Sequence, residues 1–164
     1  MITQRISPCL WFDSEAEEAA NYYVGIFKNS RVTSVTRYPS AGQEIHQQPA
    51  GSVMVAAFEL DGQAFTALNG GPVFKFNEAV SFLVNCSSQQ EIDYYWEKLG
   101  AGGDPKAQQC GWLKDKYGLS WQVVPEGMDE MMKNAESPGA QRAMTAMLKM
   151  KKIDMDELQR AYAG

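Results

Sequence analysis

Leu10-Trp11-Phe12-Asp13-Ser14-Glu15-Ala16-Glu17-Glu18-Ala19-Ala20-Asn21-Tyr22-Tyr23 decides the fold, because the chain repeats its pattern at Leu83-Val84-Asn85-Cys86-Ser87-Ser88-Gln89-Gln90-Glu91-Ile92-Asp93-Tyr94-Tyr95. Each copy runs from an apolar strand into a short polar cap and then a first helical turn rich in acids or amides. Acids there sit where the helix dipole favours negative charge. In the first copy Ala16, Ala19, Ala20, Tyr23, Ile26 and Phe27 recur at helical spacing, which predicts a helix opening on Asp13-Ser14 and running to about Phe27. The second copy predicts a helix capped by Ser87 or Ser88 and spanning roughly 89–99.

Working outward, Arg5 to Phe12 reads as a strand with Ser7, Cys9 and Trp11 on one face and Ile6, Leu10 and Phe12 on the other; Pro8 suits an edge. Arg31 to Tyr38 is β-branched and reads as a strand, followed by a polar loop over 39–51 and another strand from Ser52 to Leu60. Asp61-Gly62 is a strong hairpin signal, with Gln63 to Leu68 returning. The second half offers strands at Ala79 to Cys86, Cys110 to Lys116 and Leu119 to Val124, a turn at Tyr117-Gly118, and a weak extra strand near 106–109. The hairpins echo each other too, Asp61-Gly62-Gln63-Ala64-Phe65-Thr66 against Tyr117-Gly118-Leu119-Ser120-Trp121-Gln122. Tyr23 to Gly62 is 39 residues and Tyr95 to Gly118 is 23; the 39–51 loop accounts for most of the difference of 16, since surface loops accept insertions cheaply. The expectation is an α+β fold of two βαβββ modules forming curved mixed sheets. The modules cover about 5–70 and 78–125 of a duplicated domain at 1–126. A helical tail over 127–164, divided at Pro138 and reopened at Asp154, is expected to pack on the domain or on a dimer partner.

Composition narrows the function classes. The 164 residues are 45% hydrophobic and 21% charged, ordinary for one folded domain, and the net charge is −5. No basic stripe offers itself to phosphates, so nucleic acid is not an expected partner. Lys149, Lys151 and Lys152 read as a solvated helix face. No apolar run reaches the roughly 20 residues that span a bilayer, and Met1-Ile2-Thr3-Gln4-Arg5 lacks a leader's apolar core, so no membrane partner and a cytoplasmic location are expected. Cys9, Cys86 and Cys110 lack metal-ligand spacing and read as free thiols. His46, the sole histidine, falls in the inserted loop and reads as exposed, which excludes a multi-histidine metal site.

The motifs together resemble a known superfamily. They are Pro8-Cys9-Leu10-Trp11-Phe12, Ala16-Glu17-Glu18-Ala19 into Tyr22-Tyr23, Phe27-Lys28-Asn29-Ser30, Phe58-Glu59-Leu60-Asp61-Gly62, Ala67-Leu68-Asn69-Gly70-Gly71-Pro72, Gly111-Trp112-Leu113-Lys114-Asp115-Lys116-Tyr117-Gly118 and Ser120-Trp121-Gln122-Val123-Val124-Pro125. In this set the chain resembles the vicinal-oxygen-chelate superfamily of glyoxalase and bleomycin-resistance proteins, and within it the PhnB-like branch, many of whose members are called 3-demethylubiquinone-9 3-methyltransferase. The resemblance implies two curved sheets enclosing cavities and a homodimer. Metal-dependent relatives place ligands, usually His and Glu, on the first and last strand of each module; the matching positions here are near Ser7, Thr66, Val80 and Gln122. Neutral side chains do not supply the carboxylate and imidazoles that hold a divalent ion, so neither metal nor other cofactor is expected.

Ser7, Thr66 and Gln122 would then be neutral hydrogen-bonding groups facing a cavity, with Cys9, Trp11 and Leu68 beside the first pair and Trp112 and Lys114 lining the second module. Such groups orient a ligand within an apolar pocket or simply fill the interior. Cys110 has only Lys114 as a local activator and reads as structural. The functional expectation is a metal-independent protein binding an unidentified small molecule. The alternatives are an enzyme in the same cavity (a lyase, an isomerase or a methyl-transferring activity) and a dimeric scaffold with filled cavities. Methyl transfer from a dinucleotide-type fold would call for a glycine-rich turn after the first strand, where Asp13-Ser14-Glu15 stands instead.

Overall fold

Asp61 and Gly62 both adopt the left-handed backbone, with φ of 46° and 80°. That is the tight primed turn whose twist matches antiparallel strands, as the dipeptide foretold. The computed structural model describes residues 4–164, in two compact units, the first ending at Lys75 and the second running Phe76–Gly164.

The first unit runs β1 (Cys9–Phe12), α1 (Ala16–Val24), β2 (Arg31–Arg37), α2 (Gln43–His46), β3 (Val53–Leu60) and β4 (Gln63–Asn69). Its sheet has the order β1-β4-β3-β2; β1 is parallel to β4 and the other pairs are antiparallel. Alternation splits the sheet. Leu10, Phe12, Ala56, Phe58, Leu60, Phe65 and Ala67 are buried on one face, and α1 packs there through Ala16, Ala19, Ala20 and Tyr23. Alanines at the contact let the helix axis come close, so Tyr23 stacks on Phe58 at 6.2 Å and Phe58 on Phe65 at 5.4 Å. Each large side chain so buried contributes about 1.5–3 kcal/mol.

The β1 strand is shorter than expected. Pro8 has no N–H, so only its carbonyl joins the ladder, accepting from Thr66 N at 3.0 Å. Before it, Ile6 is 86% exposed, and the Gln4 side chain bonds the edge of β4 instead, its Oε1 accepting from Ala64 N at 3.0 Å. Helix α1 also departs from expectation. Neither Asp13 nor Ser14 caps it; the Ala16 N–H donates to Asn69 Oδ1 at 2.8 Å, across 53 residues. It stops at Val24, with Ile26 and Phe27 N–H both turning back to the Tyr23 carbonyl.

The second unit runs β5 (Ser81–Cys86), α3 (Gln89–Gly100), a 3-10 turn (Pro105–Ala107), β6 (Trp112–Lys114), β7 (Ser120–Pro125), α4 (Met128–Met132), α5 (Pro138–Met147) and α6 (Met155–Ala163). The sheet order is β5-β7-β6, with β5 parallel and β6 antiparallel to β7. The weak strand near 106–109 is a 3-10 turn and a lone bridge from Gln109 to Trp112, so this module forms three strands where the first forms four. Ser88 caps α3 by accepting from Glu91 N, and the Glu91 carboxylate reaches back to Ser87 N, a reciprocal cap written locally. Helix α3 buries Ile92 and Leu99 against the face carrying Val84, Cys86, Leu113, Trp121 and Val123.

The tail is tied to this unit by its 150–153 segment. Cys110 N donates to Met150 O at 2.9 Å and Gly111 N to Lys151 O at 2.7 Å, Ile153 is fully buried, and Lys152 pairs with Asp93 at 2.5 Å. The lysines expected on a helix face thus lie in the connection between α5 and α6. Ser137 and Asp154 cap α5 and α6, and Arg142 donates to the Ala161 and Tyr162 carbonyls at the end of α6, where a cation complements the dipole. No helix among the described residues is long and apolar enough to cross a membrane.

Candidate functional site

Each sheet buries one face under a helix and leaves the other half-open, and the candidate residues fall on those open faces. In the first unit the register pairs Cys9 with Thr66 and Trp11 with Leu68, so these four form two adjoining rows; Ala57 and Val55 extend them onto β3. Cys9 is exposed, whereas Trp11, Thr66 and Leu68 are half-buried. Ser7 stands ahead of β1, exposed. In the second unit Trp112 pairs with Gln122, which pairs with Leu83; Lys114 pairs with Ser120, which pairs with Ser81. Trp112, Lys114 and Gln122 are therefore neighbours on one face.

Trp11 is held firmly. Its indole N–H donates to the Gly71 carbonyl at 2.8 Å, and Phe74 meets the ring edge-on at 4.9 Å. The ring lies so close to Gly70 that a Cβ there would fall 2.0 Å from Trp11 Cζ2. Asn69-Gly70-Gly71 thus serves two ends: Asn69 caps α1 and donates to Val53 O at 3.1 Å, while the glycines receive the indole. No local signal in the sequence marks that use of Asn69, because its partners lie far along the chain.

Gln122 is committed within the sheet, its amide donating to Ser81 Oγ at 2.9 Å. The Lys114 ammonium pairs with Glu78, whose carboxyl is held below its usual range chiefly by that hydrogen bond. Ser120, absent from the expected set, is 1% exposed, and its Oγ has no partner among the described residues. At the positions of the fold's metal ligands, Val80 is aliphatic and 64% exposed, Gln122 is engaged, and Ser7 and Thr66 are neutral hydroxyls. Among the described residues no group of three or more His, Cys, Asp or Glu could hold a metal ion. This donor set does not fit a divalent cation.

His46 is not the exposed loop residue expected. It is half-buried with its ring 4.7 Å from that of Tyr38, and Nδ1 accepts from Gln48 N at 3.1 Å, which leaves the proton on Nε2. Cys110 sits in the left-handed region (φ 50°) beside Gly111, its sulfur accepting from Gln109 Nε2. Partial desolvation at the sheet surface pushes the thiol of the exposed Cys9 up, and burial pushes the fully buried Cys86 up to about 12, the carboxylates of Glu91 and Glu126 adding to the effect. A thiol reagent at pH 8 is therefore expected to spare Cys86 in the native chain and to reach it only after denaturation. A raised pKa favours the protonated folded form, so this contribution is complete below the ordinary value of 9.0 and is lost as pH climbs towards 12. Native labelling of Cys86 as fast as of Cys110 would overturn the assignment.

The paired modules, each a helix laid on a mixed sheet with the opposite face half-open, define the glyoxalase/bleomycin-resistance fold of the vicinal-oxygen-chelate superfamily. Within it, the family described as 3-demethylubiquinone-9 3-methyltransferase matches residues 4–124, and the chain belongs to that family, the PhnB branch. A putative 3-demethylubiquinone-9 3-methyltransferase (PhnB protein) from Bacillus cereus is 36% identical, with 74% of this chain and 99% of that one aligned at a TM-score of 0.63. A Pseudomonas aeruginosa protein shares the fold at 19% identity, over 76% of this chain and 98% of its own, at a TM-score of 0.56. So does the fosfomycin resistance protein of Listeria monocytogenes solved with Mn(II) and sulfate, at 14% identity, 83% and 100% coverage and a TM-score of 0.52. No protein of curated function matches the chain.

Proposed function

We propose that this chain is a metal-independent small-molecule-binding protein that receives an apolar or aromatic ligand on the open faces of its sheets. The observation that carries the reading is Trp11, an aromatic ring fixed on a half-open face by its bond to Gly71 and its seat on Gly70. A ring already locked loses little freedom when a ligand stacks on it, and Thr66 and Cys9 stand beside it to orient polar groups. The family's description names a methyl transfer. The β1–α1 connection, Asp13-Ser14-Glu15, contains no glycine and the sheet is mixed, which does not fit the nucleotide turn of a doubly wound fold.

The test is a thermal-shift panel of small aromatic fragments against the wild type and Gly70→Ala, whose new methyl evicts the indole. A ligand at a hundred times its Kd stabilises by about 2.7 kcal/mol, a rise of roughly 5–11 °C for a chain this size. At least one fragment should raise the wild-type Tm by that order, and Gly70→Ala, still folded by circular dichroism, should lose the response. A panel that moves nothing would sink the binding reading.

A further inference from the structure

The open face of the second sheet carries a row arranged for negative charge. Register places Ser120 between Ser81 on the parallel neighbour β5 and Lys114 on the antiparallel neighbour β6, and adjacent strands of a sheet lie about 4.7–4.9 Å apart. The Ser120 hydroxyl is buried and unpartnered, a state that costs about 1–3 kcal/mol and is seldom left without a reason. Ser81 Oγ accepts from Gln122, so its own hydrogen is directed elsewhere. The third member is the Lys114 ammonium, on a side chain 25% exposed, and it is already engaged by a carboxylate of the chain itself. That carboxylate, Glu78, is 63% exposed and belongs to the irregular segment ahead of β5, which ties it down little. The adjoining row on the same face is Trp112–Gln122–Leu83, with Leu83 59% exposed, so an apolar surface adjoins the charged one.

We propose that the Ser81–Ser120–Lys114 row is a carboxylate subsite, so that the ligand class is a small acid with an apolar or aromatic body, and that Glu78 is an internal surrogate which the ligand's carboxylate displaces. This rests on the binding reading above, taken for the open face of the second sheet rather than the Trp11 face of the first, and specifies the ligand class there. In the bound state Lys114 turns from Glu78 to the incoming carboxylate, whose oxygens take the two serine hydroxyl hydrogens, and the body lies along Trp112 and Leu83. A carboxylate rather than a phosphate is indicated because the group already on the ammonium is a carboxylate and a single cation faces it. An ordinary exposed ion pair contributes little to stability and its loss affects no ligand, which separates the subsite from a plain surface pair.

The experiment is calorimetric titration of the full chain with benzoate and with its neutral analogue benzamide, in the wild type, Glu78→Gln, Lys114→Met and Ser120→Ala. Benzoate is expected to bind the wild type at least ten-fold more tightly than benzamide. Glu78→Gln should tighten benzoate several-fold, an effect that misfolding cannot imitate; Lys114→Met should weaken it ten-fold or more and Ser120→Ala several-fold. Equal affinity for the two compounds, or benzoate affinity unchanged in Glu78→Gln and Lys114→Met, overturns the subsite and leaves small-molecule binding standing. Absence of benzoate binding in both the wild type and Glu78→Gln also overturns it, whereas the binding reading is decided separately by the fragment panel.

Discussion

Asp115→Ala is expected to lower the stability of the protein by about 3–5 kcal/mol, a large share of what holds a domain of this size together. The carboxylate is 2% exposed and organises the β6–β7 connection. Its Oδ1 accepts from Tyr117 N at 2.8 Å and Leu119 N at 3.1 Å, and its Oδ2 accepts from Trp121 Nε1 at 2.9 Å. One side chain thus closes the turn and fixes the indole that fills the helix-facing core beside Phe82. Alanine leaves three donors without acceptors in a site water does not reach, and the cost is the desolvation of those donors as well as the lost bonds. Asp115→Asn keeps an oxygen for the two backbone donors and is expected to lose less. Urea unfolding should show a lower midpoint at unchanged slope. A loss under about 1 kcal/mol for the alanine variant, the scale of a single ordinary hydrogen bond, would show that the turn does not depend on Asp115.

Gly103→Ala is expected to cost about 3 kcal/mol, a drop of roughly 6–12 °C in Tm. Gly103 follows α3, where its N–H returns to Gly100 O at 3.0 Å, and a Cβ on it would stand 2.0 Å from the carbonyl oxygen of Lys114. That oxygen belongs to the backbone at the end of β6, so relief requires the strand or the helix exit to move, not a side chain to rotate. Gly118 supplies the control. Its φ is +84° but nothing lies within 4 Å of an added Cβ, so Gly118→Ala should lose only the backbone preference, about 1 kcal/mol. Differential scanning calorimetry of the two variants separates close approach from conformational strain; equal losses would show that the close approach costs nothing extra. Because Gly103 presses on Lys114 and Asp115 follows it, the two large variants share a corner and their effects are not expected to add.

The elements that read correctly from the sequence are those whose causes lie within a few residues. Asp61-Gly62 makes its turn because both residues tolerate left-handed backbone, and Ser88 and Asp154 cap the helices that follow them. The split of Leu10 and Phe12 from Cys9 and Trp11 follows from the two-residue period of a strand. The expectations that changed depend on distant partners. Helix α1 is capped by Asn69 rather than by its own polar lead-in, and β1 shortens because its β4 partner pairs only with Cys9–Phe12 beyond the proline. His46 turns inward because Tyr38 offers it a ring.

The same division holds for the repeat and the site. The α+β class, the two modules and the strand face of Trp11 were determined by the sequence alone, since periodicity and turn chemistry are local properties, whereas the candidacy of Thr66 came through the family resemblance. Only the tertiary structure decided what those side chains do on their faces: that the Trp11 indole is locked over Gly70, that Gln122 is taken by Ser81, that Lys114 holds Glu78, and that the Ser120 hydroxyl is buried without a partner. Hydrogen bonding and burial are relations between strands brought together by folding, and no spacing along a single strand encodes which neighbour will answer a given donor.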